Sequence, residues 1–170
     1  MLSLLGAALV TAGTGAIGFG AAAQLGRRVG ELRAVVTALE LMERELSFRL
    51  TPIPELLDEL SRRTPLPARP LFARCLGGLD RLGEESLGQI WTAAVEDTLP
   101  DLRGEDRAIL AELGQVLGRF DGDGQGQAVG QARLRLSHQL EGAERERDSH
   151  GRLYGALGVT AGAFFVILLL

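Results

Sequence analysis

Lysine is absent from the sequence, so all 18 basic residues are arginine. A phosphate-binding loop of the GxxxxGKS/T type is therefore excluded, because its lysine is missing. The 22 acidic residues outnumber the basic ones, and the net charge is −4. Nucleic-acid-binding proteins normally carry a clustered basic excess that offsets phosphate charge. We therefore predict no nucleic-acid partner and no P-loop nucleotide site.

Residues that carry catalysis or bind metals are also scarce. Cys75 is the one cysteine, so no internal disulfide can form, and a reducing compartment fits. His138 has no second histidine or cysteine at a ligand spacing. The consecutive residues Asp148, Ser149 and His150 point about 100° apart on a helix and cannot form a catalytic relay. We predict no enzyme activity, no catalytic residue, no metal, no cofactor and no small-molecule substrate.

Charged side chains are missing from both ends of the chain, over residues 1–26 and 153–170. As helices these ranges would be about 39 Å and about 27 Å long, against a hydrocarbon core of about 30 Å. We predict N- and C-terminal transmembrane helices over them and a cytoplasmic helical bundle at 27–152. A signal peptide cleaved near Ala21-Ala22-Ala23 is the alternative for the first range, but no positive side chain precedes its apolar run.

The arginines beside these apolar ranges predict the orientation of the chain. They all lie on the inner side of each range, which by the positive-inside rule places the middle of the chain in the cytoplasm. Membrane lipid is then a predicted contact at the cell membrane. The membrane-proximal basic residues are Arg27, Arg28, Arg33, Arg145, Arg147 and Arg152.

The segment Gly13–Gly18 matches G-x-G-x-x-G, the dinucleotide-binding fingerprint. That motif needs a preceding strand, a following helix and an acidic residue about 20 positions later, where Glu40 lies at a tolerable distance. The rest of the chain shows no alternation of strands and helices that would build a parallel sheet. In a membrane span the same small residues let helices approach closely. A nucleotide-dependent oxidoreductase using this turn is kept as the alternative function.

The segment DGDGQGQAVGQA, Asp121–Ala132, opens like an EF-hand calcium loop. Such a loop needs an oxygen ligand at its fifth position and a bidentate Glu at its twelfth, where this chain has Gln125 and Ala132. We therefore interpret the segment as a link between helices. In that interpretation Asp121 or Asp123 caps a helix, and Gly122, Gly124 and Gly126 turn the chain.

The charged middle of the chain has the periodicity of helices. Apolar residues recur every three or four positions from Leu25 to Leu50, and prolines interrupt the pattern at 51–54, 64–67 and 100. Six helices without strands predict an all-α fold, a six-helix antiparallel bundle. The first predicted helix ends at Leu50, the second begins at Pro54, and the third spans Ala68–Arg81. The fourth begins at 84–86, the fifth at Glu105 and the sixth at Gln125.

The first and last helices should rise about 36 to 42 Å from the bilayer, so that their far ends meet. The turns at these ends would form one membrane-distal surface, for which ordinary exposed loops are the alternative interpretation. The candidate partner-binding residues there are Arg49, Thr51, Pro52, Pro54, Glu55, Asp121 and Gln125.

Three segments, LELMERELSFRLTPIPELL, IWTAAV and LAELGQVLGRFDGDGQGQ, stand in a characteristic order between the uncharged ends. Together they resemble the stage III sporulation protein AB family of endospore-forming bacteria over essentially the full length. Phe48 departs from the pattern, because relatives commonly have an aromatic hydroxyl there. The most specific parts are Glu43 and Glu45 before Thr51–Glu55, and Leu113-Gly114 and Leu117-Gly118 before Asp121.

The resemblance implies a membrane protein of the mother cell, within the channel apparatus that links mother cell and forespore. It implies a cytosolic six-helix bundle similar to the cytoplasmic domains of the type II secretion F protein. It further implies a scaffold without chemistry of its own, with other protein components of the sporulation channel complex as partners.

Overall fold

A computed structural model describes the backbone of residues 2–49, 51–117 and 122–169, and the side chains of residues 20, 22–49, 51–117 and 124–150. Within these residues the chain is helical, and its only bridge of β type is an isolated one between Leu82 and Glu85. The predicted all-α class with six helices is confirmed.

The helices are α1 (Leu2–Arg44), α2 (Ile53–Arg63), α3 (Arg69–Gly78), α4 (Leu87–Thr98), α5 (Gly104–Val116) and α6 (Gly122–Leu169). A π-helical turn, Glu45–Arg49, continues α1, and a 3₁₀ turn, Leu79–Arg81, follows α3. Pro54 lies in the first turn of α2, where its missing N–H costs no hydrogen bond. Ser86 caps α4 in a reciprocal capping box with Gln89.

The long helices α1 and α6 pack against each other in antiparallel orientation, and the shorter helices complete the bundle in chain order. Consecutive helices alternate in direction, so the connections fall at two ends. At one end, which we call the base, the α4–α5 connection meets Arg28 and Glu146. At the other, the distal end, the start of α2 meets the α3–α4 connection and the end of α5. Both α1 and α6 therefore leave the bundle at the base.

Trp91 is the central side chain of the core, as its place in the apolar stripe of α4 predicts. It is 1% exposed, its ring meets Phe72 edge to face at 6.0 Å, and its Nε1 donates to the Leu110 carbonyl oxygen at 2.8 Å. A Cβ on Gly114 would lie 2.6 Å from the indole Cδ1, and one on Gly88 would lie 2.8 Å from the Gly114 carbonyl oxygen. The two glycines thus let α4 and α5 cross closely enough to enclose the indole.

Cys75 is completely buried, in agreement with its interpretation as a small apolar core residue. Burial raises the pKa of its thiol to about 12. The thiolate that would act as a nucleophile or ligand is therefore disfavoured at neutral pH.

The prediction that Gly122, Gly124 and Gly126 turn the chain is wrong, because α6 already begins at Gly122. The predicted helix cap at Asp121 lies outside the described residues. Gly126 instead faces the π-helical turn that continues α1, where an added Cβ would lie 2.6 Å from the Ser47 Oγ. The glycines of this segment lie within a helix, and Gly126 lies at its contact with that turn. A helical backbone also does not wrap around an ion in the manner of an EF-hand loop.

The Gly13–Gly18 segment lies within the continuous helix α1. A dinucleotide-binding turn requires a strand before the glycines and a helix that begins at them. The backbone therefore gives no support to the oxidoreductase alternative.

Within the part of the chain that the structure describes, no helix contains an apolar stretch long enough to cross a membrane. The two ranges predicted to be transmembrane, 1–26 and 153–170, fall almost entirely on residues whose side chains lie outside that part. The transmembrane portion of the predicted fold is therefore not supported by the structure and stays a prediction.

Candidate partner-binding surface

The distal end starts with the π-helical turn, which Glu45 holds in place from inside. Its side chain is 5% exposed, and its Oε2 accepts hydrogen bonds from Thr51 Oγ1 at 3.2 Å and Arg49 Nη1 at 3.4 Å. The Thr51 backbone N–H also donates to the Glu45 carbonyl oxygen at 3.4 Å. This turn presents Phe48 to solvent with 84% of its surface exposed.

The residues predicted to bind a partner are differently placed. Arg49, Pro52, Pro54 and Glu55 are exposed, Thr51 is half-buried, Gln125 is buried in α6, and Asp121 lies outside the described residues. The turn before α2 is therefore an open surface, whereas Gln125 belongs to the interior.

An apolar groove of about 340 Å³ opens beside this turn. Its apolar walls come from the start of α2, the α3–α4 connection and the ends of the adjoining helices: Ile53, Pro54, Leu79, Leu82, Leu87 and Leu117. Leu82 is half exposed, and Gly83 turns the chain after it with a φ of 118°. Sequence reasoning identified Pro54 but missed the α3–α4 connection, although the apolar Leu82 beside a glycine was a signal for it.

Acidic side chains flank the groove-lining residues in the chain. Glu55, Asp80 and Glu84 are exposed, and within the described residues none of their carboxylates has an ion-pair partner. Glu85 differs, because it pairs with Arg81 at 2.8 Å. Three unpaired carboxylates therefore adjoin the apolar groove lining in the chain, while the one basic residue among them, Arg81, is paired.

The base is held together by a buried ion pair between α1 and α5. Arg28, 5% exposed, donates from Nε and Nη2 to the two carboxylate oxygens of Asp106, which is fully buried, at 2.8 and 3.0 Å. Asp106 Oδ2 also accepts from the backbone N–H of Arg103 at 2.9 Å, which fixes the first turn of α5. The paired geometry satisfies both buried charges.

Helix α6 joins the same network through Glu146. Arg103 donates to both of its carboxylate oxygens at 2.9 Å, and these hydrogen bonds lower the pKa of Glu146. Arg28 Nη1 lies 3.9 Å from Glu146, and Arg33 pairs with Glu144 one turn away. The network therefore connects the two long helices at the point where both leave the bundle.

Glu31 ties the α4–α5 connection to α1. It is 8% exposed, and its Oε2 accepts from the backbone N–H of Asp101 at 3.1 Å, while Arg27 pairs with the Asp101 carboxylate at 3.0 Å. Burial, together with the nearby negative charge of Asp101, raises the pKa of Glu31 to about 7. This carboxyl therefore keeps its proton to a higher pH than an unperturbed glutamate does.

Four of the six predicted membrane-proximal arginines thus have an acidic ion-pair partner in the described residues. Arg27, Arg28 and Arg33 pair with acids of the base, Arg147 pairs with the adjacent Asp148, Arg145 is exposed, and the Arg152 side chain lies outside the described residues. Sequence reasoning missed the acidic partners, because Arg28 and Asp106 are 78 positions apart and no local pattern links them.

Comparison with known proteins agrees with this architecture. The protein-family model for stage III sporulation protein AB matches residues 3–170. The chain is 27% identical over 173 residues to stage III sporulation protein AB of Bacillus subtilis (strain 168), and the match covers all of both chains. A solved structure of a stage III sporulation protein AB is similar in fold, with a TM-score of 0.63 at 22% identity, over 72% of this chain and 98% of that one.

Proposed function

Since the chain belongs to the stage III sporulation protein AB family, we propose that it is a non-enzymatic, membrane-anchored scaffold of a secretion-like channel apparatus between mother cell and forespore. Its cytoplasmic bundle docks other protein components of that sporulation complex. Two features of the molecule support this proposal, the arrangement of its ends and the surface at the distal end.

The arrangement of the ends supports anchoring in one membrane. The uncharged ranges 1–26 and 153–170 continue α1 and α6, which run antiparallel and leave the bundle at the base. Two tethers from one end would place the distal end farthest from the membrane. The arginines next to both ranges favour a cytoplasmic bundle by the positive-inside rule. Membership of the sporulation family is the reason to propose the mother-cell membrane facing the forespore.

The observation that carries the docking role is that the distal end has both an apolar groove and the exposed Phe48. Large apolar side chains that stay exposed beside an apolar groove are typical of protein interaction sites. The ion pairs of the base, by contrast, occupy their charged groups with one another. A docking surface at the distal end therefore fits the geometry better than one at the base.

Site-specific photo-crosslinking in sporulating cells tests the docking role. A photoreactive residue at Glu55, beside the groove, should capture another component of the apparatus. The matched control is the same residue at Glu96, which is also exposed but lies on the half of α4 nearer the base. Equal capture at both positions, or capture only at Glu96, would contradict the proposal.

Membrane anchoring and orientation need a separate test. A Glu84→Cys variant of the full chain places a reactive thiol at the distal end, and the buried Cys75 contributes no background. We expect the protein in the membrane fraction after alkaline washing, with the new thiol protected from an impermeant reagent until the cells are opened. Recovery in the soluble fraction would contradict anchoring, and labelling in intact cells would contradict the orientation.

A further inference from the structure

We propose that the distal end associates with a second copy of this chain, with Phe48 of one copy inserted into the apolar groove of the next. This proposal rests on the docking role proposed above and deepens it by naming a partner. The groove residues that carry it are Ile53, Pro54, Leu82 and Leu87.

Phe48 is held in its exposed position by the structure around it. Of the exposed large apolar side chains in the described residues, it has the greatest exposed fraction, 84%. Glu45 fixes the backbone of its turn through Arg49 and Thr51, so the ring projects from an ordered element. Binding would then restrict only the side-chain torsions of Phe48, and aromatic side chains, which have few rotatable bonds, are effective anchors.

The groove has room for that ring. A cavity of about 150 Å³ lined by Leu, Ile and Phe is large enough to hold benzene, and this groove measures about 340 Å³. Its walls are mainly aliphatic, and Leu82 is half exposed at its opening. The volume of the groove is therefore sufficient for a phenyl ring.

Charge complementarity favours a second copy as the occupant. Arg49 follows Phe48, is 68% exposed, and contacts Glu45 only at 3.4 Å. Glu55, Asp80 and Glu84 are exposed next to groove-lining residues in the chain and have no ion-pair partner in the part of the chain described here, whereas the nearby Arg81 is paired with Glu85. A copy that inserts Phe48 would bring its guanidinium towards these carboxylates. This chain therefore supplies both the aromatic and the basic group that its own groove would select.

Each copy carries both halves of the contact, so complementation between two variants provides the test. Phe48→Asp removes the inserted ring, and Leu82→Asp places a charge at the groove opening. Full-length protein in detergent micelles is measured by sedimentation at increasing concentration. We expect each variant alone to weaken association by about tenfold or more, and an equal mixture to form a complex, because each variant retains the half that the other lacks.

Leu134→Asp is the matched control, since Leu134 is 55% exposed on α6 and lies outside the groove. It should associate as the unmodified chain does. If Leu82→Asp does not fold, Arg49→Glu and Glu84→Arg replace the pair, and their mixture should again associate better than either alone.

A chain that stays monomeric at all concentrations would overturn the proposal, as would a Phe48→Asp variant that associates normally or a mixture without complementation. In each case, capture of another component from Glu55 in cells would still support the docking role. If the chain self-associates but Glu55 captures no other component in cells, the proposed docking of other components is contradicted. The proposed contact with a second copy is then still supported.

Discussion

Replacement of Glu31 by glutamine should stabilise the bundle at alkaline pH. The amide oxygen of glutamine keeps an acceptor for the Asp101 backbone N–H, which lies 3.1 Å from the carboxylate in the structure. Burial and the nearby Asp101 carboxylate disfavour the negative charge of Glu31, and the substitution removes that charge. The backbone N–H groups of Asp101 and Leu102 and the Arg107 side chain favour the charge, but their effect is weaker. The variant therefore isolates the free-energy cost of ionising this buried group.

The magnitude follows from the two pKa values. The pKa of Glu31 is about 7 in the folded protein and 4.5 as an unperturbed group. At about 1.4 kcal/mol per tenfold change in proton affinity, ionisation costs the folded state about 3 kcal/mol. The folded state binds more protons than the unfolded state between these pKa values, so stability is greatest below the lower one and falls as pH rises through the higher one. About 2 kcal/mol of the loss falls between about pH 5.5 and about pH 8.

Urea unfolding of the full chain in detergent measures the effect, with the fluorescence of Trp91, the single tryptophan, as the probe. The free energy of unfolding of Glu31→Gln should exceed that of the unmodified chain at about pH 8, and the difference should shrink towards about pH 5.5. Glu141→Gln is the control, because Glu141 is exposed and has no ion pair in the described residues. Parallel pH profiles for Glu31→Gln and the unmodified chain, or a variant that is less stable at about pH 8, would refute the reasoning.

Four further substitutions test the packing, each by urea unfolding at neutral pH. Asp106→Ala leaves the buried Arg28 without its bidentate partner and should cost about 3 to 5 kcal/mol; a loss below about 1 kcal/mol would contradict the role of the pair. Gly114→Ala places a Cβ 2.6 Å from the buried indole and should destabilise the protein by about 1 to 3 kcal/mol. Gly142→Ala is its control and should stabilise by up to about 1 kcal/mol, because nothing lies within 4 Å of the added Cβ. Equal effects of the two would show that the indole does not set the distance between α4 and α5. Gly126→Ala should be tolerated within about 1 kcal/mol, because the atom it meets is a hydroxyl oxygen that can rotate away, and a larger loss would mean that the α1–α6 distance is fixed there.

The helices themselves were predictable because their signals are local. The three-and-four spacing of apolar residues along α1 anticipated the buried face that includes Leu32 and Leu39. Pro54 marked the start of α2, and the start predicted at 84–86 lies next to the observed start of α4 at Leu87. Each of these signals depends on a backbone donor or on side chains within one or two turns, so neighbouring sequence is sufficient to interpret it.

The glycines of the Asp121–Ala132 segment show where local signals fail. A glycine that turns the chain and one that lets two helices approach have the same sequence signature, and only the packing partner distinguishes them. Ser47 lies 79 positions before Gly126, yet it is the residue that Gly126 faces. The turn was therefore assigned wrongly, although the absence of a calcium-closing glutamate was correctly seen in the sequence.

The sequence by itself determined an all-α chain, the order of its helices and the family to which its segments are similar, because periodicity, prolines and motifs act over short distances. Only the tertiary structure decided that Arg28 is a buried partner of Asp106, that Glu31 titrates near neutral pH, and that Ile53, Leu82 and Leu117 line one groove. Those properties depend on desolvation and on contacts between residues far apart in the chain, which exist only after the helices have packed.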